Sequence, residues 1–396
     1  MTSEKPLSGV RILDFSRVLA GPFCTALFAD IGAEVIKIEP PGGDDQRAMG
    51  AFKNDVSVNF ELVNRGKRSL RLDLKRPGTL KLVLELAARC DVVVENFRPG
   101  VADKLGIGYD ALKTVKPDLI YCSISGFGQN GPLSLHPSYD VVAQATSGLM
   151  SLTGNADSPP VLVGDSVGDT VSGLFAAWGI SSALFRRART GEGARLDVAM
   201  FDSLFSLLPT ALAQFQVTGQ SPERSGAQHP LSAPFGAYRA ADRMFIIAIA
   251  NNVLFEKFSG LIGHPDLPQD ERFSSDRLRR QNEVALRAVI ETWAANLTAS
   301  AAVKCLLDAG IPSSEIWTVA EAAMSDHAVH RGLLTAVANP RLGTVHLPEQ
   351  PVHFDGCPRG DIRPAPGLAE DNRSILADVL GLSDSEISML AADGII

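Results

Sequence analysis

Cysteine is scarce in this chain, and its positions exclude two common kinds of site. The five cysteines are scattered, and no two of them have the C-x-x-C spacing of a zinc site or a dithiol redox centre. Free thiols of this kind are typical of a reducing cytosol. The seven histidines form no metal-binding spacing with acidic residues, so we predict no metal ion.

Long apolar runs and an excess of positive charge are also missing. The longest weakly polar run, residues 173–185, is too short to span a bilayer, and the N-terminal residues lack a signal-peptide pattern. The net charge is −8, which disfavours binding to nucleic acid or to anionic membranes. We therefore expect a cytoplasmic protein that binds neither nucleic acid nor a membrane.

The N-terminal half alternates between short apolar strands and helical patterns. Strand patterns at 9–16, 34–41 and 91–97 are separated by helical patterns such as 21–33 and 78–90. This alternation predicts an α/β fold with a parallel sheet covered by helices. A linker rich in proline, glycine and serine begins near residue 219. We expect a smaller α+β domain after it.

One glycine motif is misleading. GFGQNG at 126–131 matches a dinucleotide-binding fingerprint, but Pro132 and Pro137 prevent a helix from beginning directly after it. A tight loop beside a ligand explains the glycines better. The chain also has no G-x-S-x-G elbow, which argues against a serine hydrolase of that type.

Positive charge is concentrated in one stretch of this acidic protein. Residues 63–78 carry Arg65, Lys67, Arg68, Arg71, Lys75 and Arg76. Arg98 and Lys104 follow a predicted strand end, where α/β folds bind ligands. A site for a phosphate-rich ligand and an exposed charged face both account for this pattern, and the residues alone do not choose between them.

Two aspartates stand out because the residues around them carry no charge. Asp165 and Asp169 lie four residues apart in an otherwise uncharged stretch of small residues. Asp169 is placed to cap the following helix, whose N-terminus favours the charged carboxylate. We also expect Gly168, Ser172 and Gly173 to leave open space around it, and an ionised, accessible carboxylate is suited to attack an acyl carbon.

Several long stretches together resemble the family III CoA-transferases, the formyl-CoA transferase and carnitine CoA-transferase group. They include LSGVRILDFSRVLAGPFCTALFADIGAEVIKIEPPGGD, NRGKRSLRLDLKRPG, ENFRPGVADKLGIGYDAL, PDLIYCSISGFGQNGP and GDTVSGLFAAWGISSALFRRARTGEG, in the expected order. The resemblance implies a Rossmann-like large domain built from both chain ends, here 1–220 and 331–396. It also implies a smaller domain at 225–330 and an interlocked homodimer.

The resemblance further implies an activity and a set of site residues. CoA, the co-substrate, would move from an acyl-CoA donor such as succinyl-CoA to a small carboxylic acid. Asp169 lies at the position of the family's nucleophile, and Tyr139 at that of an active-site tyrosine. The residues implied to contact CoA are Arg17, Val18, Lys37, Leu72, Lys75, Asn96, Phe97, Arg98 and Lys104.

Two alternatives remain open at this stage. The α-methylacyl-CoA racemases share this fold, and Asp165 would be their catalytic aspartate, but Tyr139 stands where their partner histidine lies. A tyrosine with a pKa near 10 is a poor proton donor and acceptor for that reaction. A catalytically silent acyl-CoA-binding protein is the third hypothesis.

Two further details bear on the acceptor acid. Arg17 and Arg47 suggest an acid with a second carboxylate, such as succinate. Formyl-CoA transferases carry a glycine run in the small domain, and Asn251 and Asn252 stand there in this chain. This difference argues against oxalate or formate as a substrate acid of this protein.

Overall fold

The computed structural model describes residues 4–357 and 359–396 of the chain, which divides into two compact units. The first takes Met1–Met150, Leu162–Ala213 and Asp326–Ile396, and the second takes Ser151–Val161 and Gln214–Ser325. Among the described residues, no helix combines the length and the apolar character that crossing a membrane requires.

The strands define both units. They are β1 (Arg11–Asp14), β2 (Glu34–Glu39), β3 (Phe52–Lys53), β4 (Val56–Ser57), β5 (Arg68–Arg71), β6 (Val92–Glu95), β7 (Ile120–Ser125), β8 (Ala194–Ala199), β9 (Phe235–Arg239), β10 (Met244–Ala248), β11 (Ser313–Glu315), β12 (Leu334–Asn339) and β13 (Gly343–Pro348). The first unit contains a six-stranded sheet in the order β5-β2-β1-β6-β7-β8, with every neighbouring pair parallel. The predicted parallel α/β sheet is therefore confirmed.

Helices of the first unit cover both faces of this sheet, and the second unit has helices of its own. The helices are α1 (Ala20–Asp30), α2 (Val58–Asn64), α3 (Thr79–Ala87), α4 (Val101–Lys104), α5 (Tyr109–Lys113), α6 (Asp140–Thr146), α7 (Leu149–Leu152), α8 (Val167–Thr190), α9 (Met200–Phe205), α10 (Pro209–Thr218), α11 (Asn252–Leu261), α12 (Asp276–Gln281), α13 (Glu283–Ala294), α14 (Ala299–Asp308), α15 (Val319–Met324), α16 (Asp326–His330), α17 (Asn372–Leu380) and α18 (Asp384–Ala392). Val93 and Leu86 belong to the buried cluster on one face, and Val94 and Ile180 to the cluster on the other. Burial on both sides explains why β6 and β7 are almost continuously apolar.

The order of the sheet creates a crevice at its centre. From β1 the chain moves outward through β2 to β5, then returns to β6 on the other side of β1 and continues to β8. The loops that follow β1 and β6 therefore lead away from each other. Open α/β sheets bind their ligands at this kind of switch point, beyond the carboxyl ends of the strands.

The second unit has its own sheet and its own core. Strands β9, β10 and β11 pair antiparallel in the order β11-β10-β9, and Tyr238, Phe245 and Leu286 lie in the buried cluster beside them. Asn251, which stands where formyl-CoA transferases carry a glycine run, caps α11. Its side chain accepts the Leu254 N–H at 2.9 Å.

The compact units differ from the predicted domain extents at residues 151–161, 214–220 and 326–330. Residues 151–161 belong to the second unit, whereas we expected them in the large domain. The Arg224 guanidinium donates to the Asn155 and Ser158 carbonyls at 2.9 and 2.6 Å, and these bonds hold the segment there. The extents 1–220, 225–330 and 331–396 as separate domains stay a prediction.

Candidate active site

A cleft of about 250 Å³ lies at the switch point of the first unit. The loop after β1 and the loop after β6 form two of its walls. Seven of the residues singled out in the sequence line it, namely Arg17, Val18, Asn96, Phe97, Arg98, Tyr139 and Asp169. Among the described residues, no group of three or more histidine, cysteine, aspartate or glutamate side chains is placed to hold a metal ion.

The two loops are joined by a reciprocal pair of hydrogen bonds. The Arg17 N–H donates to the Asn96 side-chain oxygen at 2.8 Å, and the Asn96 amide donates back to the Arg17 carbonyl at 2.7 Å. Val18 has a φ of 64°, which is strained for a β-branched residue. Its N–H donates to Asp44 at 3.0 Å, and this bond helps to hold the strained conformation.

A buried ion pair supports the loop after β1. The fully buried Asp14 carboxylate accepts the Ser16 N–H at 2.9 Å, the Thr25 hydroxyl at 2.6 Å and the Lys67 ammonium at 3.0 Å. Burial alone would raise the pKa of Asp14, but the charges of Lys67 and Lys37 and the hydroxyl bonds outweigh it, and the pKa is lowered to about 2. The carboxylate is therefore charged at every physiological pH.

Lys37 and Leu72, two of the residues expected to contact CoA, have buried side chains. The Lys37 ammonium is fully buried, donates to the Ser16 carbonyl at 2.9 Å and pairs with Asp44 at 2.7 Å. Leu72 is also fully buried, in the core beside the sheet. In this structure neither side chain lines the cleft. Lys37 acts through the loop above it, because its partners are the residues that hold that loop.

The basic stretch at 63–78 does not form a single positive patch. Arg65 pairs with Asp30, Lys67 pairs with Asp14, and Arg68 pairs with Glu34. Arg76 also pairs with Asp73 at 3.6 Å, so four of the six cations in this stretch are used in ion pairs of the first unit. The side chains of Lys75, Arg98 and Lys104 are exposed, and none has an ion-pair partner within the described residues.

Arg47 also differs from expectation. Its guanidinium binds both oxygens of the buried Glu39 carboxylate at 2.7 Å and lies over the Phe60 ring. This geometry uses its charge within the protein, whereas we expected that charge to be available for a second carboxylate on the substrate. Arg17 does line the cleft, with only an exposed ion pair to Asp45 at 3.5 Å.

Asp169 is the third residue of α8, and its carboxylate lines the cleft. Burial and then the charge of Asp140 raise its pKa to about 7, against a hydrogen bond from the Ala20 N–H that lowers it. Burial of this side chain therefore works against the charged form that we expected the helix N-terminus to favour. At neutral pH Asp169 is divided between its charged and neutral forms.

Asp140 organises the first turn of α8, and the sequence reasoning did not single it out. Its carboxylate accepts the Gly168 N–H at 2.6 Å and the Gln144 amide at 2.7 Å. The Gln144 side-chain oxygen in turn accepts the Val163 N–H at 3.0 Å. The only signal in the sequence was the position of this acid directly after Tyr139.

The structure separates the two aspartates. Asp165 is exposed, and its carboxylate accepts the N–H of the next residue, Ser166, at 2.7 Å. It does not line the cleft that contains Asp169 and Tyr139. Of the two candidates, the geometry therefore places Asp169 alone among the residues expected to contact a CoA ester.

The small residues beside Asp169 serve close packing and leave no open space. A Cβ atom at Gly173 would lie 2.7 Å from the Ala20 carbonyl oxygen, and one at Gly168 would lie 2.9 Å from an Asp140 oxygen. These glycines let α8 approach the start of α1 and the Asp140 side chain. The approach brings the Ala20 backbone amide close enough to Asp169 to lower the pKa of its carboxyl.

Known proteins with similar sequences and structures indicate the family to which this chain belongs. The sequence model of CoA-transferase family III matches residues 7–372. The chain belongs to that family. It is 42% identical to the acetyl-CoA:oxalate CoA-transferase of Acetobacter aceti over 93% of this chain and 95% of that protein.

Another relative and a solved structure match all or nearly all of this family III CoA-transferase. It is 37% identical to the succinyl-CoA:glutarate CoA-transferase of Mus musculus, over 100% of this chain and 91% of that protein. A crystal structure of a CAIB/BAIF family protein from Brucella suis superposes with a TM-score of 0.85 at 35% identity, over 95% of this chain and 100% of that one. The protein is thus an acyl-CoA:carboxylate CoA-transferase.

We predict that Gly173→Ala lowers turnover about tenfold or more, because the new methyl group pushes α8 away from Ala20 and misplaces Asp169. Overpacking of about 1–3 kcal/mol also outweighs the gain of about 1 kcal/mol in helix propensity. Steady-state CoA transfer and thermal unfolding measure the two effects. Gly179→Ala is the matched control on the same helix, since its nearest neighbour would be at an ordinary 3.6 Å. Equal turnover in the two variants would contradict this reading.

Proposed function

We propose that this enzyme moves CoA from a short acyl-CoA to a small dicarboxylic acid through covalent intermediates on Asp169. The observation that carries the proposal is the Asp169 side chain, which lines the cleft beside the loops expected to hold CoA. A buried carboxylate with a pKa of about 7 is a stronger nucleophile, once ionised, than a solvated one.

The first half of the reaction transfers CoA to the enzyme. A carboxylate oxygen of Asp169 attacks the thioester carbonyl carbon, the C–S bond breaks, and CoA leaves as a thiolate. The product is a mixed anhydride between Asp169 and the donor acyl group. The thiolate then attacks the aspartyl carbonyl carbon, which releases the donor acid as a carboxylate and leaves an aspartyl-CoA thioester.

The second half reverses these steps with the acceptor. The acceptor carboxylate attacks the aspartyl thioester to give a new mixed anhydride and the thiolate. The thiolate attacks the acceptor acyl carbon, which forms the new acyl-CoA and frees the Asp169 carboxylate. No net proton is gained or lost, so the residues need to hold charge and exclude water rather than transfer protons.

The N–H groups of the glycine loop at 126–131 are candidates for stabilising the oxyanions of these steps, and two of them are already occupied. In the glycine loop, the Gly128 N–H already donates to the Ser125 hydroxyl at 3.0 Å and the Gln129 N–H to Asp197 at 2.9 Å. The Ala20 N–H, in contrast, faces Asp169 itself. We therefore assign to Ala20 the orientation of the nucleophile and the stabilisation of its charged form.

We propose that CoA lies along the loops after β1 and β6. Arg17, Val18, Asn96, Phe97 and Arg98 line the cleft there. The exposed cations Lys75 and Lys104 extend the site for the phosphates, while Leu72 and Phe97 pack in the same apolar cluster beneath it. In this proposal Lys37 supports the loop after β1 through its bonds to Ser16 and Asp44.

The proposed acceptor class has two sources of support. Relatives that cover most of this chain are named for oxalate, glutarate, D-citramalate and mesaconate, which are all dicarboxylic acids. Arg17 offers a cation at the cleft whose exposed pair with Asp45 is weak. The Acetobacter aceti relative is named for oxalate, which supports that acid as a candidate, whereas the Asn251 and Asn252 pair argues against it.

We also propose that two copies of the chain form the dimer implied by the family resemblance. Trp178 and Phe185 on α8 are 70% and 67% exposed, and Trp178 adjoins an open apolar cavity of about 320 Å³ beside the edge strand β8. Exposed aromatic side chains beside an apolar cavity are typical of an interface. A cytoplasmic location is proposed from the scattered cysteines, which are free thiols in the described residues.

Asp169 gives the first test of this mechanism. Asp169→Asn should abolish turnover while CoA affinity stays within about threefold, because nucleophile and CoA loops are different segments. In the wild type, kcat should rise with pH through about 7, since attack requires the ionised carboxylate whose pKa is raised to that value. A pH profile of kcat and trapping of the acyl-enzyme with hydroxylamine measure both effects.

Asp165→Asn is the matched control and should keep near wild-type turnover. Full activity in Asp169→Asn would refute the nucleophile. Entry of solvent deuterium at the α-carbon of the acyl group, without CoA transfer, would instead indicate a racemase.

Arg98→Gln should raise KM for acyl-CoA about tenfold, because a well-formed charge-assisted contact contributes roughly 1.5–3 kcal/mol. KM for the acceptor acid should barely change, and the effect should shrink at high salt. Kinetics at two ionic strengths measure this, with Lys81→Gln as control because Lys81 pairs only with Glu85 on the exposed face of α3. An unchanged KM for acyl-CoA would remove the loop after β6 from the CoA site.

The dimer predicts a single sedimenting species of about twice the chain mass across the micromolar range, because an interlocked pair cannot separate without local unfolding. Analytical ultracentrifugation at several concentrations tests this. A folded monomer that appears on dilution would contradict the proposal.

A further inference from the structure

Glu95 is a buried carboxyl group that the proposed mechanism does not use. It is the last residue of β6 and only 3% exposed. Its carboxylate accepts the Phe97 N–H at 2.8 Å. The Ser123 hydroxyl, across the sheet on β7, lowers the pKa of this carboxyl. The bond to Phe97 closes a tight turn at the point where the loop after β6 begins. Glu95 therefore joins the sheet to the loop that lines the cleft.

The space beside Glu95 is too small for a ligand. The narrow cavity that it lines has a volume of only about 10 Å³, roughly the room that one water molecule needs. Arg98 lines both this cavity and the larger cleft. The loop of residues 96–98 therefore connects Glu95 with the cleft.

We propose that Glu95 is a positioning residue for acyl-CoA, whose ionised carboxylate holds the loop of residues 96–98 in the conformation that binds CoA. This inference rests on the proposed function, because it takes that loop as part of the CoA site. It predicts a dependence of CoA affinity on pH that is separate from the titration of Asp169 in catalysis.

The surroundings of Glu95 keep its carboxyl near its ionisation midpoint at neutral pH. Burial and then the charge of Asp103 on α4 raise its pKa to about 7, while Ser123, the Phe97 N–H and Arg195 on β8 lower it. The other ionisable groups lining the cavity are Arg98, Tyr109 on α5 and Tyr121 on β7. The Tyr121 hydroxyl donates its hydrogen bond to the Ile107 carbonyl at 3.1 Å. That hydrogen is therefore not donated to the Glu95 carboxylate.

The sign of the effect follows from the Phe97 hydrogen bond. A carboxylate accepts an N–H about twice as strongly as a neutral acid does, so protonation loosens the turn. CoA should therefore bind more weakly as the pH falls through about 7. By linkage, CoA binding lowers the pKa of Glu95, and a shift of about one unit makes Kd roughly fivefold larger near pH 6 than near pH 8.

The test is isothermal titration of the full-length protein with CoA near pH 6 and near pH 8. Glu95→Gln keeps an oxygen that accepts the Phe97 N–H but cannot ionise. We expect the ratio of Kd at the two pH values to be about fivefold larger in the wild type than in this variant. Comparison of the two proteins at the same pH cancels the titration of the CoA phosphates and of Asp169.

Glu61→Gln is the matched control. Glu61 is also a buried glutamate whose pKa is raised by burial, but its partners are Arg341, Asn339 and the Ala365 N–H, away from the cleft. Its Kd ratio should equal that of the wild type. Ser123→Ala gives a second variant, since losing this hydroxyl raises the pKa of Glu95 and should move the midpoint of the affinity profile to higher pH.

The possible outcomes separate this inference from the proposed function. Equal Kd ratios in the wild type and Glu95→Gln, or weaker binding near pH 8, would overturn the role of Glu95 and leave the transferase mechanism intact. If Glu95→Gln does not fold, an unmoved midpoint in Ser123→Ala overturns it. A wild-type protein that does not bind CoA would refute both proposals.

Discussion

The site depends on a single buried carboxylate, Asp14, at the end of β1. It receives the Ser16 N–H, the Thr25 hydroxyl and the Lys67 ammonium, and Lys37 binds the same loop from below. Isolated buried charges are costly, so this one persists because each of its oxygens is satisfied. The strained backbone at Val18 and the bonds to Asn96 require this fixed loop. Removing Asp14 would therefore affect the cleft and not only the core.

Carboxyl groups of the first unit show how burial and partners set separate ionisation states. Asp14 is buried beside two lysines, and its pKa is lowered to about 2. Asp169 and Glu95 are buried with few positive neighbours, and their pKa values are raised to about 7. The first is a permanent charge that supports the fold. The other two change charge at neutral pH, which suits a nucleophile and a group that adjusts a loop.

Much of the framework could be predicted from the chain alone. Periodic apolar patterns indicated the parallel sheet, and residues following the strand ends, such as Arg17 and Asn96, proved to line the cleft. Asp169 was identified and Asp140 was missed, because the Asp140 partner, Gly168, lies in another segment. Lys37, Arg47 and Arg65 were read as available charges, since a sequence does not show that Asp44, Glu39 and Asp30 neutralise them.

The sequence by itself determined the local properties of this protein: the alternation of strands and helices, the places where glycine and proline end them, and the residue types near each strand end. These depend on side chains a few positions apart. Only the tertiary structure decided which charges are free, which glycines serve close packing, and which of two neighbouring aspartates meets the cleft. These properties depend on burial and on partners distant along the chain, and it is the folded sheet that brings those groups together.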